Sequence, residues 1–431
     1  MTIGRDELWR LKAAEPQRFP FLLESVARGN PLARQDLLLE ADPEREALIV
    51  GADGSGLAAL LEAWSRQCLA PPGSGADLAP GGHALYLAYD FAAVFEPRVP
   101  RLPDRLGGPL AAWIPIRGLW RRDHAAGTLD WLLPDGSTAA APEWPVSEDG
   151  AESLPPHRIL EDAPERFVHG VERVHRYLRE GDSFQVNLSH AWSVDFAAPP
   201  SPAALYARLR RANPAPFAAW ASVADLEILS SSPERLVAVH DGWAETRPIA
   251  GTRPRASDPA VDAQLRHELA VDAKERAEHI MLIDLERNDL GRVCETGSVE
   301  VNELGAIESY THVHHLVSNV RGRLRPAANL GELLRAVFPG GTITGCPKVR
   351  SMQIIAELEG QGRGPYTGSL GYVDPAGRLD LNILIRSFGL RGCHAEIRAG
   401  AGIVADSVSG RELEEVRAKA RGVLRAFEWQ A

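Results

Sequence analysis

Two pairs of glutamates in this chain stand three residues apart within sequences of strong helical character. Glu275 and Glu278 lie in AKERAEHIMLIDLERNDLGRV, and Glu412 and Glu415 lie in RELEEVRAKARGVL near the end of the chain. This spacing puts both carboxylates of a pair on one face of a helix. Each pair taken alone would usually belong to a solvated surface. The first pair, however, leads directly into the apolar sequence IMLI, and buried carboxylates need a cation or hydrogen-bond donors.

A shared metal ion is the chemistry that two such helices could carry together. The carboxylates form a ligand set that is rich in oxygen and poor in histidine, which suits Mg²⁺ bound partly through water and an anionic substrate. Lys419 follows one turn after Glu415 and adds a positive charge nearby. We therefore expect a magnesium site that holds a small polyanionic substrate.

The composition is that of an ordinary globular protein, with 431 residues, of which 45% are hydrophobic and 24% are charged. At this length, two subdomains or one unusually large domain are expected. The net charge of -11 argues against a nucleic-acid or anionic membrane surface, because both need basic patches. Four scattered cysteines without a CxxC motif, and no signal peptide or long apolar run, predict a cytoplasmic protein.

The pattern of elements changes near residue 160. Residues 1–160 alternate short apolar runs with joints rich in Pro and Gly, which predicts a region rich in strands. Residues 161–431 begin with a helix and an alternating strand, SFQVNLSHAWSV, whose Gln185 and Asn187 share one face. The loop GGTITGCPK enters a helix and is a candidate anion site. It is not a nucleotide-binding P-loop, because the Gly after TIT is not followed directly by Lys and Ser/Thr.

Several motifs together resemble one enzyme family. The chorismate-utilising enzymes, which include anthranilate, aminodeoxychorismate, isochorismate and salicylate synthases, have in the same order GDSFQVNLS, SSPERL, RPIAGTRPR, KERAEHIMLIDLERNDLGRV, FPGGTITGCPKVRSMQII, LDLNILIRSF, AGAGIVADS and ELEEVRAKA. The resemblance implies an α+β fold of two large, mostly antiparallel β-sheets packed face to face with helices outside. Residues 161–431 would be the chorismate-binding catalytic region. Residues 1–160 would add part of the sheet core and a candidate tryptophan site.

The resemblance assigns the four glutamates to the metal. It implies that Glu278 and Glu415 bind Mg²⁺ directly and that Glu275 and Glu412 act through water. The ion would hold the ring carboxylate of chorismate.

Substrate-binding residues carry over in the same way. Arg386 and Tyr372 resemble the residues that bind the pyruvyl carboxylate, and a guanidinium suits a carboxylate because its donors form a fork. A structural ion pair is the alternative for Arg386. The backbone amides of residues 400–402 resemble a further carboxylate cradle, to which Lys419 would add charge. The residues implied to contact the substrate are Gly251, Thr252, Thr342, Tyr372, Arg386, Gly400, Ala401 and Gly402.

The implied reaction requires an acid, because attack at ring carbon C2 expels the C4 hydroxyl. Glu234, in SSPERL, is the candidate for this role. Pairing with Arg235 or Arg247 is the alternative for a glutamate in this turn.

Two further positions concern the leaving group and the nucleophile. His315 resembles the family histidine near the leaving hydroxyl, although a core histidine is the alternative and His312 and His314 are close neighbours. Gln185 stands where the members that add water have a Lys acting as base. Because ammonia is already nucleophilic, the glutamine indicates amination and disfavours isochorismate and salicylate synthase activities.

A second protein would supply the ammonia. The sequence shows no nucleophilic Cys with the partner His of a glutamine amidotransferase, so the resemblance implies a separate glutamine amidotransferase subunit. FLLES, which contains Glu24 and Ser25, resembles the segment that holds tryptophan in related synthases. A structural tryptophan, a regulatory tryptophan and no tryptophan all remain open.

The motifs conflict over the product. Many aminodeoxychorismate synthases have a Lys, thought to attack C2, where this chain has Ala250, and this difference favours anthranilate synthase. QVNLS, GGTITGCPK and the compact length favour aminodeoxychorismate synthase component I. The absence of the Lys does not exclude this activity, because the Lys is not present throughout that group and ammonia could itself add at C2 before a second amination at C4. We expect the latter activity, which serves 4-aminobenzoate and folate biosynthesis. Anthranilate synthase component I is the alternative, and an inactive tryptophan-binding regulatory paralogue is a remote one.

Overall fold

Antiparallel strand pairing organises the whole chain. The structure is a computed structural model, and it describes residues 8–27, 34–75, 77–134, 138–139, 153–310 and 313–427. Every strand pairing within these ranges is antiparallel. The expected α+β fold is confirmed.

Helices and strands have the following bounds. The α-helices are α1 (Leu8–Ala14), α2 (Leu57–Arg66), α3 (Ala92–Phe95), α4 (Pro164–Arg179), α5 (Pro202–Ala212), α6 (Pro259–Val271), α7 (Ala273–Gly291), α8 (Leu330–Val337), α9 (Lys348–Glu359) and α10 (Ser409–Leu424). The strands are β1 (Phe21–Glu24), β2 (Gln35–Ala41), β3 (Leu48–Val50), β4 (His83–Leu87), β5 (Ala111–Asp123), β6 (Thr128–Leu132), β7 (Thr138–Ala139), β8 (His157–Glu161), β9 (Gln185–Phe196), β10 (Phe217–Val223), β11 (Leu226–Ser232), β12 (Arg235–His240), β13 (Trp243–Thr246), β14 (Ile249–Pro254), β15 (Glu300–Ser309), β16 (Val313–Arg323), β17 (Gly345–Cys346), β18 (Ser369–Val373), β19 (Leu379–Asn382), β20 (Ser387–Arg391) and β21 (His394–Ile403).

Two sheets share one long strand, β5. The first sheet runs β7-β6-β5-β2-β1-β10-β11-β20-β21-β9, with β8 and β17 on the far edge of β9. The second sheet runs β3-β5-β4-β18-β19-β12-β13-β16-β15, with β14 beside β13 on the same edge of β16. Strands from both sides of residue 160 pair within each sheet. The division of the chain at that residue stays a prediction.

Alternation along the strands builds three apolar cores. Leu37 and Leu39 of β2 and Tyr86 of β4 face a core between the two sheets. Leu38, between the first two, faces the helices that cover the first sheet, and Leu85 faces those that cover the second. Successive side chains of a strand point to opposite faces, so each sheet buries both of its faces.

A buried group of charges ties α9 to the floor of the first sheet. Glu359, at the end of α9, is 4% exposed. Its Oε1 accepts hydrogen bonds from the backbone N–H of Ser189 at 2.9 Å and from Arg363 at 2.6 Å, and its Oε2 accepts from Arg398 at 3.2 Å. Burial opposes the charge of this carboxylate, but the two guanidiniums hold the pKa of Glu359 below its ordinary value. The group therefore depends on all three charges remaining together.

Replacing Glu359 by Ala should lower the free energy of unfolding by roughly 3–5 kcal/mol, because it leaves two buried guanidiniums without their shared carboxylate. Glu357, two residues earlier on the same helix, is the matched control, since its ion pair with Arg173 is about half exposed. Glu357→Ala should cost no more than about 1 kcal/mol. Urea denaturation measures both values, and equal losses for the two variants would contradict the prediction.

Candidate active site

One cavity of about 640 Å³ lies where the two sheets face each other. Elements of both sheets, the helices α7 and α10 and the loops before β12 and β17 contribute to its wall. Every predicted catalytic and metal residue lines this cavity, as do most of the predicted substrate residues: Gln185, Glu234, Gly251, Thr252, Glu275, Glu278, His315, Thr342, Arg386, Gly400, Gly402, Glu412, Glu415 and Lys419. Residues up to 234 positions apart in the chain, Gln185 and Lys419, are thus brought to one place.

The two pairs of glutamates reach the cavity from helices that pack on different sheets. α7 packs on β14 and β16 of the second sheet, and α10 packs on β21 of the first. The sequence IMLI is not buried throughout, because Ile280 is half exposed while Leu282 and Ile283 lie in the core. The turn of α7 that carries its glutamates is therefore at the cavity wall, and the following turns anchor the helix.

The carboxylates of both helices already contact cations of the protein. Glu415 forms an ion pair of 2.7 Å with Lys419, and Glu275 forms one of 3.2 Å with Arg253. No group of three or more His, Cys, Asp or Glu among the described residues is close enough to hold a metal by itself. Mg²⁺ commonly binds one or two carboxylates together with water and substrate anions. An Mg²⁺ site at these carboxylates stays a prediction, and it would need water and substrate oxygens to complete the ligand set.

Glu234 lies at the cavity wall immediately before β12 and is only 5% exposed. Burial raises the pKa of its carboxyl to about 8, against the opposing effect of the neighbouring Thr342 hydroxyl, and the negative charge of Glu286 raises it further. At neutral pH this carboxyl is mostly protonated. A buried carboxylic acid of this kind can donate a proton to a leaving oxygen.

The alternative partners of Glu234 are engaged elsewhere. Arg235 donates two hydrogen bonds to Asp380, at 2.8 and 2.7 Å. Arg247 donates to Glu308 and to Glu303. The alternative of an ion pair between Glu234 and Arg235 or Arg247 is therefore not supported by the contacts of these arginines.

His315 faces the cavity and a threonine on the next strand. β14 pairs with β16 so that Thr252 lies opposite His315, and Nδ1 of the ring is 3.0 Å from the Thr252 hydroxyl oxygen. Burial lowers the pKa of His315 to about 4, so its ring is neutral at physiological pH. The preceding His314 points away and contacts Ser309 at 2.7 Å. His312 lies outside the described residues.

Arg386 places a buried positive charge at the cavity. Burial lowers the pKa of its guanidinium to about 10, which still leaves it charged at neutral pH. Its side chain donates a hydrogen bond to the backbone carbonyl of Lys419, and Nζ of Lys419 donates to the carbonyl of Gly400 at 3.1 Å. The negative charge of Glu415 opposes the effect of burial on the pKa of Arg386, and binding of a substrate carboxylate by Arg386 stays a prediction.

Two glycines allow functional side chains to lie close to the backbone. Gly251 has a φ of +64°, and a Cβ there would lie 2.9 Å from Oε2 of Glu275. A Cβ on Gly402 would collide with the side-chain amide of Gln185. Any other residue at these positions would displace Glu275 or Gln185.

Comparison with known proteins identifies the family. The family model described as chorismate binding enzyme matches residues 40–425. The chain belongs to this family. Aminodeoxychorismate synthase component 1 of Bacillus subtilis is 41% identical over 81% of this chain and 77% of its own length. Anthranilate synthase component 1 of Thermus thermophilus is 38% identical over 97% of this chain and 94% of its own length.

A solved structure agrees with this assignment. Anthranilate synthase component I from Streptococcus pneumoniae superposes with a TM-score of 0.77 and 30% identity, covering 92% of this chain and 93% of that one. Within the described ranges, none of the helices has the length and apolar character that a membrane crossing needs.

Two expected substrate residues of this chorismate binding enzyme do not reach the cavity with their side chains. Tyr372 is fully buried in the core between the sheets, and its hydroxyl donates to the carbonyl of Ala79 at 2.6 Å. Strand alternation is the cause, because Leu370 and Tyr372 share the inward face of β18. The side chain of Ala401 packs into the apolar core of the first sheet, so only its backbone is near the cavity.

Tyr366 is a cavity residue that sequence reasoning missed. It lies in the turn before β18, is nearly buried and lines the cavity with its ring. The signal in the sequence was GPYTG, a turn with Pro365 before the tyrosine and Gly368 after it.

Glu24 and Ser25 line a second cavity, of about 470 Å³. Their polar groups are engaged inside the protein. Glu24 accepts hydrogen bonds from Tyr206 at 2.7 Å and Arg210 at 3.2 Å, and the hydroxyl of Ser25 donates to the carbonyl of Pro216 at 3.0 Å. A ligand of this cavity would contact the end of β1 rather than a free carboxylate of Glu24.

Activity should fall as the pH rises through about 8, because Glu234 then loses the proton that we expect it to donate. The measurement is kcat/KM for chorismate against pH at a constant concentration of free ammonia. Glu234→Gln should lower this value by about 100-fold or more and remove the fall. His315 is neutral throughout this pH range, so it should add no second transition to the pH profile. A wild-type profile that stays flat from about pH 7 to about pH 9 would contradict the assignment of the acid.

Proposed function

We propose that this protein is aminodeoxychorismate synthase component I, which converts chorismate and ammonia to 4-amino-4-deoxychorismate with the help of Mg²⁺. The observation that carries the proposal is the content of one cavity: four carboxylates from two helices, a charged Arg386 and a protonated Glu234. Chorismate has two carboxylates and a hydroxyl that must leave, and each finds a complementary group here. The cytoplasmic location expected from the sequence is part of the same proposal.

The two carboxylates of chorismate would be bound at opposite ends of the cavity. Mg²⁺, held by Glu278 and Glu415 with Glu275 and Glu412 acting through water, would supply positive charge to the ring carboxylate. Arg386 would hold the pyruvyl carboxylate with its planar set of donors. Lys419, next to both Glu415 and Gly400, would add charge between these two ends.

The chemistry begins with attack of ammonia at C2. A bond forms between nitrogen and C2, the ring double bonds shift, and the C4 oxygen leaves as water after it takes the proton of Glu234. The ammonium group formed at C2 returns a proton to the Glu234 carboxylate. A second ammonia then adds at C4, the ring double bonds shift back, and the amino group at C2 takes a proton from the new ammonium group and departs as ammonia, which gives 4-amino-4-deoxychorismate. In anthranilate synthases the same intermediate would instead lose pyruvate to become anthranilate.

Gln185 and the names of the relatives support ammonia as the nucleophile. A lysine that could act as base toward water is absent from position 185, which lines the cavity. Both curated relatives are named as component 1 of a synthase, which supports a glutamine amidotransferase subunit as partner. That subunit would deliver ammonia to the cavity from glutamine.

Ala250 is the observation that favours a second candidate, anthranilate synthase component I. It lines the cavity, and with no lysine at this position the covalent route proposed for many aminodeoxychorismate synthases is closed. The sequence features QVNLS and GGTITGCPK and the compact length of the chain favour aminodeoxychorismate synthase component I. The relatives are named for both activities, so we rest the choice on these sequence features.

Tryptophan binding stays a proposal for the second cavity. Glu24 and Ser25 line it as expected, and the space is sufficient for an amino acid of this size. The remote alternative, an inactive regulatory paralogue, is disfavoured because the predicted acid and all four metal residues line the first cavity.

Glu278→Gln and Glu415→Gln should each lower turnover by at least about 100-fold, because each removes a charge that the metal and the substrate use. The thermal unfolding midpoint should change little. Glu414→Gln is the matched control, since that side chain is exposed and bonded to Arg417 on the outer face of α10. Treatment of the wild type with EDTA should abolish activity and added Mg²⁺ should restore it. Activity that survives full chelation would refute the metal assignment.

Product analysis decides between the two synthases. The protein is incubated with chorismate, Mg²⁺ and ammonium, with and without aminodeoxychorismate lyase, and 4-aminobenzoate should form only with the lyase. Fluorescent anthranilate formed without the lyase would establish the second candidate instead. With glutamine in place of ammonium, turnover should require a co-expressed amidotransferase subunit. No consumption of chorismate under any condition would favour the inactive paralogue.

A further inference from the structure

Asn187 lines the cavity, and its buried side-chain oxygen has no hydrogen-bond partner among the described residues. The residue is 8% exposed and lies two positions after Gln185, on the same face of β9. Most buried polar side-chain atoms in proteins are hydrogen-bonded. An amide oxygen left open at a cavity wall therefore points to a donor on the molecule that binds there.

The orientation of the amide follows from its other contact. Nδ2 of Asn187 donates to the backbone carbonyl of Thr342 at 3.3 Å. A carbonyl can only accept, so the nitrogen must face Thr342 and the oxygen must face away from it. The backbone is held as well, because the N–H donates to the carbonyl of Thr344 at 2.8 Å and the carbonyl accepts from Arg363 at 2.8 Å. The open acceptor is thus fixed in place before any ligand binds.

Gly400 lies directly beside this oxygen and beside the hydroxyl of Tyr366. A Cβ on Gly400 would lie 2.8 Å from Oδ1 of Asn187 and also 2.8 Å from the hydroxyl oxygen of Tyr366. The two oxygens are therefore no more than twice that distance apart, and one nitrogen atom can bridge them. Gln185 places a second side-chain amide beside them, over Gly402.

The expected acid, Glu234, and Asn187 lie on different sheets, and this indicates which part of the reaction would take place at Asn187. Glu234 and His315 belong to elements of the second sheet, whereas Gln185 and Asn187 lie on β9 of the first sheet. A ring held between the sheets would release its hydroxyl toward the first two residues. The donor that meets Asn187 should therefore be the incoming nucleophile rather than the hydroxyl that leaves.

We propose that Oδ1 of Asn187 accepts an N–H of ammonia and, with the Tyr366 hydroxyl, holds the nucleophile in front of the substrate ring. This inference rests on the proposed amination. It adds a nucleophile-binding residue beside Gln185, and the ligand class is a small neutral amine with several N–H donors.

Steady-state kinetics with ammonium as the varied substrate test the proposal. Asn187→Leu keeps the size of the side chain and removes the acceptor, so KM for ammonium should rise about tenfold or more, while KM for chorismate stays within about twofold. Asn187→Asp keeps an acceptor oxygen at this position, although it adds an ionisable carboxyl group and removes the donor to Thr342, so its KM for ammonium should stay closer to that of the wild type than the KM of the leucine variant does. Asn187→Ser removes the amide oxygen without adding an apolar group, so its KM for ammonium should rise as it does in the leucine variant.

The outcomes separate this inference from the proposed function. A wild type that does not turn over chorismate with ammonium overturns both. A wild type that does, with an unchanged KM for ammonium in the leucine and serine variants, overturns the role of Asn187 alone. A rise confined to KM for chorismate would assign the open acceptor to a substrate hydroxyl and would also overturn the proposal. Thermal unfolding midpoints of the three variants establish that they are folded in these assays.

Discussion

The pairing of β9 with β21 is the constraint on which the active site depends. Ten residue pairs, from His394 with Asp195 to Ile403 with Val186, hold these strands in one register. In this register Gln185 and Asn187 lie beside Gly400 and Gly402 on the cavity face, while the residues between them enter the apolar core. A slip of one residue would exchange the two faces. The same strand, β21, supports α10, so the register also sets the position of Glu412 and Glu415, the two predicted metal ligands of that helix.

Burial shifts the pKa values of Glu234 and His315, two titratable groups in the cavity wall, in opposite directions. It raises the pKa of Glu234 and lowers that of His315, because in each case the charged form is the one that loses hydration. Both groups are therefore uncharged near neutral pH. The charges of the cavity are those of Arg386, of Lys419 and of the glutamates of α7 and α10, and Lys419 lies 2.7 Å from Glu415. This arrangement suits a dianionic substrate with an uncharged ring and a hydroxyl that must gain a proton.

Motifs in the sequence were sufficient to predict the fold and most of the residues that the structure brings to the cavity. The spacing of Glu275 and Glu278 predicted the helix α7, and the alternation of SFQVNLSHAWSV predicted the strand β9. The prediction that Tyr372 binds the substrate did not consider which face of β18 the side chain occupies, and that face points into the core between the sheets. The group formed by Glu359 with Arg363 and Arg398 could not have been predicted, because it joins the end of a helix to a strand almost 40 residues later. Local patterns do not contain such distant pairings.

The shared strand β5 and the pairings of the first strands have a consequence for how the chain acquires its shape. Phe21 pairs with Ala221, and His83 pairs with Val373, so the sheets close over very long loops. Loop-closure entropy opposes such contacts until the distant strand is present. During synthesis on the ribosome, the early strands must wait with open edges until much later segments have emerged. Exposed edges of this kind invite association with other chains, and a nascent chain of this topology is a natural client for chaperones.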